Sequence, residues 1–165
     1  MTQDAVVFAL LPLADLKAHE RVDARKVRAL ARELERTGVF EDPIWVARDS
    51  GVILNGHHRV AALRTLGAER IPAWVVDYDA DIVRLGRWGP GPPISKEEVV
   101  RRGRTGAPFP PRTTRHTFAV DLPARPTPLA DLLGSNGAAR GTVHARRAGS
   151  GRSTGGRAAR SARSG

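Results

Sequence analysis

The sequence predicts an α+β fold, since apolar strand-like stretches alternate with two amphipathic helices in its first half. The stretches with strand character are 5–11, 43–48, 52–54 and 71–76. Helical spacing of apolar residues follows Asp23 and Gly56, and Gly38 and Gly67 mark the helix ends. The order strand, helix, strand, strand, helix, strand predicts a small mixed sheet with flanking helices.

Local signals support each of these elements. Asp23 is a typical N-cap residue, and the helix after it has one apolar face made by Val27, Leu30, Ala31 and Leu34. Between the second and third strands, Ser50-Gly51 predicts a turn. These two strands are therefore expected to form a hairpin.

The second half of the chain carries weaker signals. Residues 79–93 are predicted to be irregular, with Trp88 among glycines and prolines. Ser95 and Glu98 form a capping box that begins a helix ending at about Arg102. Further along, the predicted elements are a loop at 108–116, a strand at 117–122 and a short helical turn at 128–133. The loop cannot be helical because its three prolines remove backbone donors.

The positive charge of the chain is concentrated at its C-terminal end. The formal net charge is +10, and residues 135–165 contain seven arginines and no Asp or Glu. We therefore predict one folded domain at 1–134 and a disordered tail rich in Arg, Gly and Ser at 135–165. The tail is either a flexible solubilising extension or a non-specific contact to nucleic acid.

The absence of cysteine restricts the chemistry that the chain can perform. It excludes disulfides, thiolate metal sites and cysteine nucleophiles. The apolar run at 5–11 has no basic region before it and no small-residue cleavage pattern, so we expect a strand and a cytoplasmic protein. No stretch approaches the roughly 20 apolar residues of a membrane span.

The most informative motif is Asn55-Gly56-His57-His58-Arg59, which joins a predicted strand to a predicted helix. Glycine lets the backbone approach a ligand, and a helix N-terminus directs unpaired N–H donors and a partial positive charge toward it. Two imidazoles and a guanidinium add side-chain donors. The motif predicts a phosphate-binding site, and a purely structural glycine turn is the alternative.

Three segments together resemble the ParB/sulfiredoxin superfamily, whose members bind a nucleotide at the glycine turn. These segments are 13–20, 38–44 and 53–59. The doubled histidine and the segment 109–116 are similar to the free L-serine kinases in particular. The resemblance covers about residues 8–118. It implies a ParB/sulfiredoxin-like fold and Mg²⁺-assisted transfer of a phosphoryl group from ATP or ADP to free L-serine.

The residues disfavour two other chemistries of this superfamily. The sulfiredoxin reaction needs a cysteine at the place of His57. Chromosome-partitioning members carry a helix-turn-helix module after the nucleotide domain, where this chain has Pro- and Gly-rich sequence with one short helix. A non-catalytic ParB-like nucleotide-binding regulator, whose basic tail contacts nucleic acid, remains the alternative.

The resemblance implies a role for each candidate residue. Glu20 matches the catalytic glutamate and would accept the proton of the serine hydroxyl. The residues implied to bind the nucleotide are Gly56, His57, His58 and Arg59. Those implied to bind the amino acid are Trp88, Thr113, Arg115 and His116. Arg115 suits a carboxylate because its planar fork matches two oxygens.

Two positions are less well defined by this comparison. The kinases usually have an aspartate at the place of Asn55, and an amide keeps an acceptor oxygen but lacks the charge. We expect Asn55 to orient the serine hydroxyl. His19, next to Glu20, either orients it, contacts phosphate or is polar surface. The ligands of Mg²⁺ cannot be predicted from spacing, because this ion keeps several waters.

Overall fold

The computed structural model describes residues 5–134, which contain three α-helices, two short 3₁₀ helices and eight strands. The predicted tail at 135–165 lies outside the described residues. The elements are β1 (Val6–Pro12), α1 (Ala24–Thr37), β2 (Val39–Phe40), β3 (Ile44–Ala47), β4 (Ile53–Asn55), α2 (His57–Thr65), β5 (Arg70–Val76), β6 (Val83–Arg87), α3 (Lys96–Thr105), β7 (Thr114–Phe118) and β8 (Thr127–Pro128). The predicted α+β class is confirmed.

Four strands form the main sheet, in the order β1-β5-β3-β4. The predicted hairpin of β3 and β4 is antiparallel. β5 runs parallel to β3 and antiparallel to β1. α2 follows β4 after the single residue Gly56, so the N-terminus of this helix lies at the end of β4.

The two faces of this sheet support two separate apolar cores. On one face, α1 and α2 cover a core that includes Ile44, Ile71 and Leu63, each fully buried. α1 begins at Asp23, whose side chain accepts from the Arg25 N–H at 2.9 Å. The second core contains Val52, Val76 and Val99 and lies under α3.

The structure corrects the predicted boundaries in the second half. Residues 83–87 were expected to be irregular but form β6, which pairs antiparallel with β7. The last long strand was expected at 117–122 and lies instead at Thr114–Phe118. The inward-facing residues of β7 are Thr114 and His116, and such polar side chains conceal the apolar alternation by which a strand is recognised. We call the β6–β7 pair the acceptor hairpin, although its two strands are joined through α3 and not by a tight turn.

Two smaller features complete the fold. α3 begins at Ser95, which accepts from the Glu98 N–H at 3.0 Å, and it extends to Thr105 rather than to Arg102. The helical turn expected at 128–133 is a short 3₁₀ helix at Leu129–Leu132. Within residues 5–134, no helix has the length and hydropathy needed to cross a membrane.

Candidate active site

The glycine turn before α2 leaves the first N–H groups of this helix without a capping side chain. Gly56 is the N-cap residue, with φ at +116°, and no side chain accepts a hydrogen bond there. A Cβ at this position would lie 2.4 Å from Ile44 Cγ2, so only glycine fits against the sheet. The helix N-terminus therefore offers backbone donors and a partial positive charge to an anion.

The first two residues of α2 both accept hydrogen bonds from the segment that precedes α1. His57 Nε2 accepts from the His19 N–H at 3.2 Å, and His58 Nε2 accepts from the Asp23 N–H at 3.0 Å. Each imidazole then carries its proton on Nδ1. Burial lowers the pKa of both histidines, which favours the neutral form. The doubled histidine thus ties residues 19–23 to the glycine turn and keeps one N–H donor on each ring.

Glu20 accepts three hydrogen bonds from Thr113 and Thr114, at the point where β7 begins. Its Oε2 accepts from the Thr113 N–H at 3.2 Å. Its Oε1 accepts from the Thr114 N–H at 3.2 Å and from the Thr114 hydroxyl at 2.6 Å. The backbone of Glu20 also pairs with Phe109. The carboxylate is therefore fixed where the glycine turn meets the hairpin.

His19 extends the hydrogen bonding of Glu20 into the protein interior. The Thr114 hydroxyl donates its single proton to Glu20, so its oxygen accepts from His19 Nε2 at 2.9 Å. His19 is fully buried, and this burial lowers its pKa. Of the three roles that the sequence allows for His19, the geometry corresponds to orientation of Glu20 and not to polar surface.

The end of the acceptor hairpin brings aromatic and basic candidates together. The Trp88 N–H donates to the Thr113 carbonyl at 3.1 Å. The Arg115 guanidinium carbon lies 4.9 Å from the centroid of the Trp88 ring. His116 faces the opposite way, into the interior, where its Nε2 is 2.7 Å from the Tyr78 hydroxyl. The Arg115 guanidinium is therefore exposed, whereas the His116 ring is a buried polar group.

A cavity of about 250 Å³ lies between the glycine turn and the acceptor hairpin. Eight of the ten predicted site residues line it: Glu20, Asn55, Gly56, His57, His58, Trp88, Arg115 and His116. Arg59 and Thr113 do not. The Thr113 hydroxyl instead donates to the Pro110 carbonyl at 2.7 Å, and its backbone N–H serves Glu20.

The Arg59 guanidinium is directed away from this cavity. It donates to the backbone carbonyls of Asp42 and Pro43 and, at 3.1 Å, to Asn55 Oδ1. Burial lowers its pKa, with Asp42 opposing that shift. It lines a larger cavity of about 530 Å³, together with Trp45, Trp74 and Phe118. We place the chemistry in the smaller cavity because it contains Glu20 and the uncapped helix N-terminus.

Sequence reasoning missed five residues that line the site. They are Arg21, Lys26, Leu54, Arg112 and Thr114. By sequence, Lys26 belongs to the polar face of α1, and its neighbour across the site, His58, is 32 positions away. Thr114 lies in the candidate segment 109–116, but nothing in the sequence distinguishes its inward orientation from that of Thr113. In both cases, contacts between residues far apart in the sequence determine whether the side chain faces the site.

The described residues include no group of three or more His, Cys, Asp or Glu side chains arranged to hold a metal ion. Among the residues that line the smaller cavity, Glu20 is the one carboxylate, and its oxygens already accept three hydrogen bonds. Asn55 Oδ1 is occupied by Arg59. These side chains do not fit a Mg²⁺ site built by the protein alone.

Acidification is expected to destabilise the fold through its buried histidines. Burial lowers the pKa of His19 and His57 and lowers that of His116 to about 3. In the unfolded chain these histidines bind protons near the ordinary histidine pKa of about 6.5. Their contribution to the free energy of unfolding is therefore fully present above that pH and is lost as the pH decreases toward 3. His116 alone contributes a slope of about 1.4 kcal/mol per pH unit in this window.

Urea unfolding at about pH 7.5 and about pH 5 measures this effect. The His116→Gln variant keeps a hydrogen-bonding side chain toward Tyr78 but does not titrate, so its unfolding free energy should depend less steeply on pH. An unfolding free energy that stays constant across this range would contradict the assignment of neutral imidazoles.

The fold of this chain is similar to that of solved free serine kinases. A solved free serine kinase in complex with AMP has a TM-score of 0.69 at 19% identity, covering 78% of this chain and 94% of that one. SbnI with a C-terminal truncation, from Staphylococcus aureus, has a TM-score of 0.65 at 13% identity, covering 81% and 91%. These likenesses establish the shared fold.

Two relatives in particular are similar in sequence. The ADP-dependent L-serine kinase SerK of Thermococcus kodakarensis is 33% identical over 101 residues, which cover 59% of this chain and 42% of SerK. The ATP-dependent L-serine kinase of Staphylothermus marinus is 32% identical over 85 residues, covering 49% and 34%. No family model matches the sequence. The resemblance to the free L-serine kinase branch is confirmed, and the chain spans about two-fifths or less of the length of these two relatives.

Proposed function

We propose that this protein is a nucleotide-dependent kinase that transfers a phosphoryl group from ATP or ADP to free L-serine, giving O-phospho-L-serine. One observation carries the proposal. The carboxylate of Glu20 is fixed between an uncapped helix N-terminus, which suits the phosphates of the donor, and a basic hairpin end, which suits an amino acid. Phosphoryl transfer requires mainly this kind of positioning.

The donor nucleotide is proposed to bind along α1 and the start of α2. The backbone donors after Gly56 and the Nδ1–H groups of His57 and His58 would contact its phosphates, and Lys26 adds a positive charge. Beside His58, a shallow cavity is bounded by Lys26, Ala29 and Leu30. Its apolar surface offers a place for the base.

Glu20 is the proposed general base. As the serine oxygen forms its bond to the transferred phosphorus, the bond to the leaving nucleotide oxygen breaks and the hydroxyl proton passes to the Glu20 carboxylate. Thr114 and His19 act as positioning residues, because they hold the carboxylate and do not themselves face the phosphates. The hydrogen bonds of Thr114 and His19 therefore hold the Glu20 carboxylate in position before the substrates bind.

Asn55 is proposed to act as a hydrogen-bond donor. Its Oδ1 accepts from Arg59, so the amide NH₂ is the group left to contact a phosphoryl oxygen or the serine hydroxyl. Arg59 would then contribute indirectly: it orients the Asn55 amide and holds the turn at Asp42 and Pro43 in place. We propose that Mg²⁺ arrives with the nucleotide and retains water ligands.

A mass-spectrometric assay of the purified protein tests the function directly. L-serine is incubated with Mg²⁺ and either ATP or ADP, alongside a panel of other free amino acids. Formation of O-phospho-L-serine with one of these donors is expected. If folded protein forms no phosphoserine with either donor, the proposed activity is wrong.

The Thr114 hydroxyl provides a graded test of positioning. The Thr114→Val variant removes the donor to Glu20 and is expected to lower kcat about tenfold, since such a bond is worth about 1.5 kcal/mol. Thr114→Ser keeps the hydroxyl and should retain most of the activity. Steady-state kinetics of both variants measure kcat. An equal decrease of kcat in the two variants would contradict a role for the hydroxyl.

The basic tail supports a second candidate, a nucleotide-dependent regulator that contacts nucleic acid. Its supporting observation is the seven arginines without compensating acids in residues 135–165. Binding to nucleic acid would then weaken steeply with salt and disappear when these residues are deleted. Nucleotide-dependent association without phosphoserine formation would favour this candidate over the kinase.

A further inference from the structure

The larger cavity, of about 530 Å³, is lined by aromatic side chains that have no part in the proposed reaction. The rings of Trp45 and Phe118 are stacked, with centroids 3.9 Å apart. The centroid of the Trp74 ring lies 6.4 Å from that of Trp45. Aromatic rings attract cations, and a planar guanidinium also stacks on them. This lining therefore suits a cationic ligand, and an arginine side chain in particular.

The charges around the larger cavity also favour a cation. Among the described residues, its lining includes four carboxylates and one guanidinium: Glu33, Glu41, Asp42, Asp121 and Arg59. The side chains of Glu41 and Asp121 are exposed, and within residues 5–134 neither forms an ion pair. The larger cavity is thus acidic, whereas the smaller one, which contains Glu20, is lined mainly by cations.

One arginine of the described chain already stacks on the same row of aromatic rings. The Arg125 guanidinium carbon lies 3.9 Å from the centroid of Phe8 and 5.8 Å from that of Trp74. Phe8 in turn packs edge-on against Trp74, with centroids 5.4 Å apart. Arg125 forms no ion pair with a carboxylate of residues 5–134, so the rings are its main partners there. These rings therefore accept a guanidinium by stacking.

Residues 135–165 are a source of further guanidiniums close to the cavity. This segment contains seven arginines and no Asp or Glu. The described chain passes the cavity at Pro128, which pairs with Val39 of the lining, and ends shortly afterwards at Gly134. About ten extended residues span roughly 30 Å, so the segment is long enough to reach the cavity. Attachment to the same chain gives it an effective concentration on the order of millimolar.

We propose that the larger cavity is a docking site for the arginine-rich segment 135–165 of the same chain. Its guanidiniums would stack on Trp45 and Phe118 and form charge-assisted hydrogen bonds with Glu41 and Asp121. Gly, Ser and Ala separate most of the arginines, and such small residues let a backbone lie close to a surface. The inference is independent of the proposed kinase activity, because it concerns a different cavity.

Paramagnetic broadening of the tryptophan indole N–H signals in the full chain tests this docking. Because the chain has no cysteine, Ser150→Cys provides a single attachment point for a nitroxide within the segment. The Trp45 and Trp74 signals should lose most of their intensity, whereas the Trp88 signal should be retained, since Trp88 lies beyond the opposite end of β7 from Phe118. High salt should restore the lost intensity, because exposed charges are screened.

Variants on each side of the contact complete the test. Glu41→Gln/Asp121→Asn should abolish most of the broadening, and so should replacement of the seven arginines by Gln. Glu35→Gln/Asp79→Asn removes two exposed carboxylates outside the cavity and should leave the broadening unchanged.

Three results would overturn the proposal. The first is the absence of broadening, the second is equal broadening of all three tryptophans, and the third is broadening that persists in Glu41→Gln/Asp121→Asn. A mixture of isotope-labelled chain without nitroxide and unlabelled chain with nitroxide distinguishes the source of the segment. Broadening in this mixture equal to that in the doubly labelled chain would assign the contact to a second copy and overturn docking within one chain.

Discussion

Replacing Glu20 with Gln is expected to lower kcat for phosphoserine formation by about 10²–10⁴-fold, the range typical of a general base. The amide retains the shape, and its oxygen can take the place of Oε1 and accept from Thr114, whereas its NH₂ group would face the Thr113 N–H and cannot take the hydroxyl proton. The KM values for serine and nucleotide should therefore change much less than kcat. Steady-state kinetics with saturating nucleotide measure the difference.

A matched control for this variant lies on α1. Glu35 is an exposed residue of this helix and does not line the cavity, so Glu35→Gln should retain full activity. Thermal unfolding of both variants checks that the fold is intact. An active Glu20→Gln enzyme would show that the serine hydroxyl loses its proton without this carboxylate.

Replacing Gly56 with Ala is expected to destabilise the protein by several kcal/mol and to abolish nucleotide binding. The new Cβ would lie 2.4 Å from Ile44 Cγ2, and φ at +116° is strained for any residue with a Cβ. Backbone strain costs about 1–3 kcal/mol, and overpacking of a core costs a similar amount. Urea unfolding and nucleotide titration measure the two losses.

Gly67→Ala separates the two causes of this instability. Gly67 also has a positive φ, at +81°, but a Cβ added there would meet no atom within 4 Å. Its loss of stability should therefore be clearly smaller than that of Gly56→Ala. Trimming the opposing side chain in the double variant Gly56→Ala/Ile44→Ala should relieve the clash but not the strain. Equal stability of the two single variants would contradict close packing at Ile44.

The half of the candidate site that contains the glycine turn could be located from the sequence because its signals are local. Asp23 and Gly38 mark the ends of α1, and Gly56 marks the start of α2. Each of these residues acts within a few positions of its own place in the chain, where turn and capping rules apply. Gly56, His57 and the strand before them could therefore be located correctly from the sequence.

The acceptor half could not be predicted to the same depth, because its determinants are contacts across the fold. His19 is fully buried, and its hydrogen bond goes to Thr114, 95 positions away. Arg59 belongs to the glycine motif by sequence, yet its guanidinium turns to the carbonyls of Asp42 and Pro43. No periodicity or cap in the sequence distinguishes these orientations.

The acceptor hairpin pairs only with itself: in the described residues β6 and β7 form a two-stranded sheet apart from the main one. The glycine turn belongs to the main sheet and α2, so the two halves of the site belong to different sheets. Glu20 joins them through the backbone of Thr113 and Thr114. For the proposed kinase, this arrangement lets the choice of acceptor change through one small two-stranded sheet, while the glycine turn that would hold the phosphoryl donor stays unaltered.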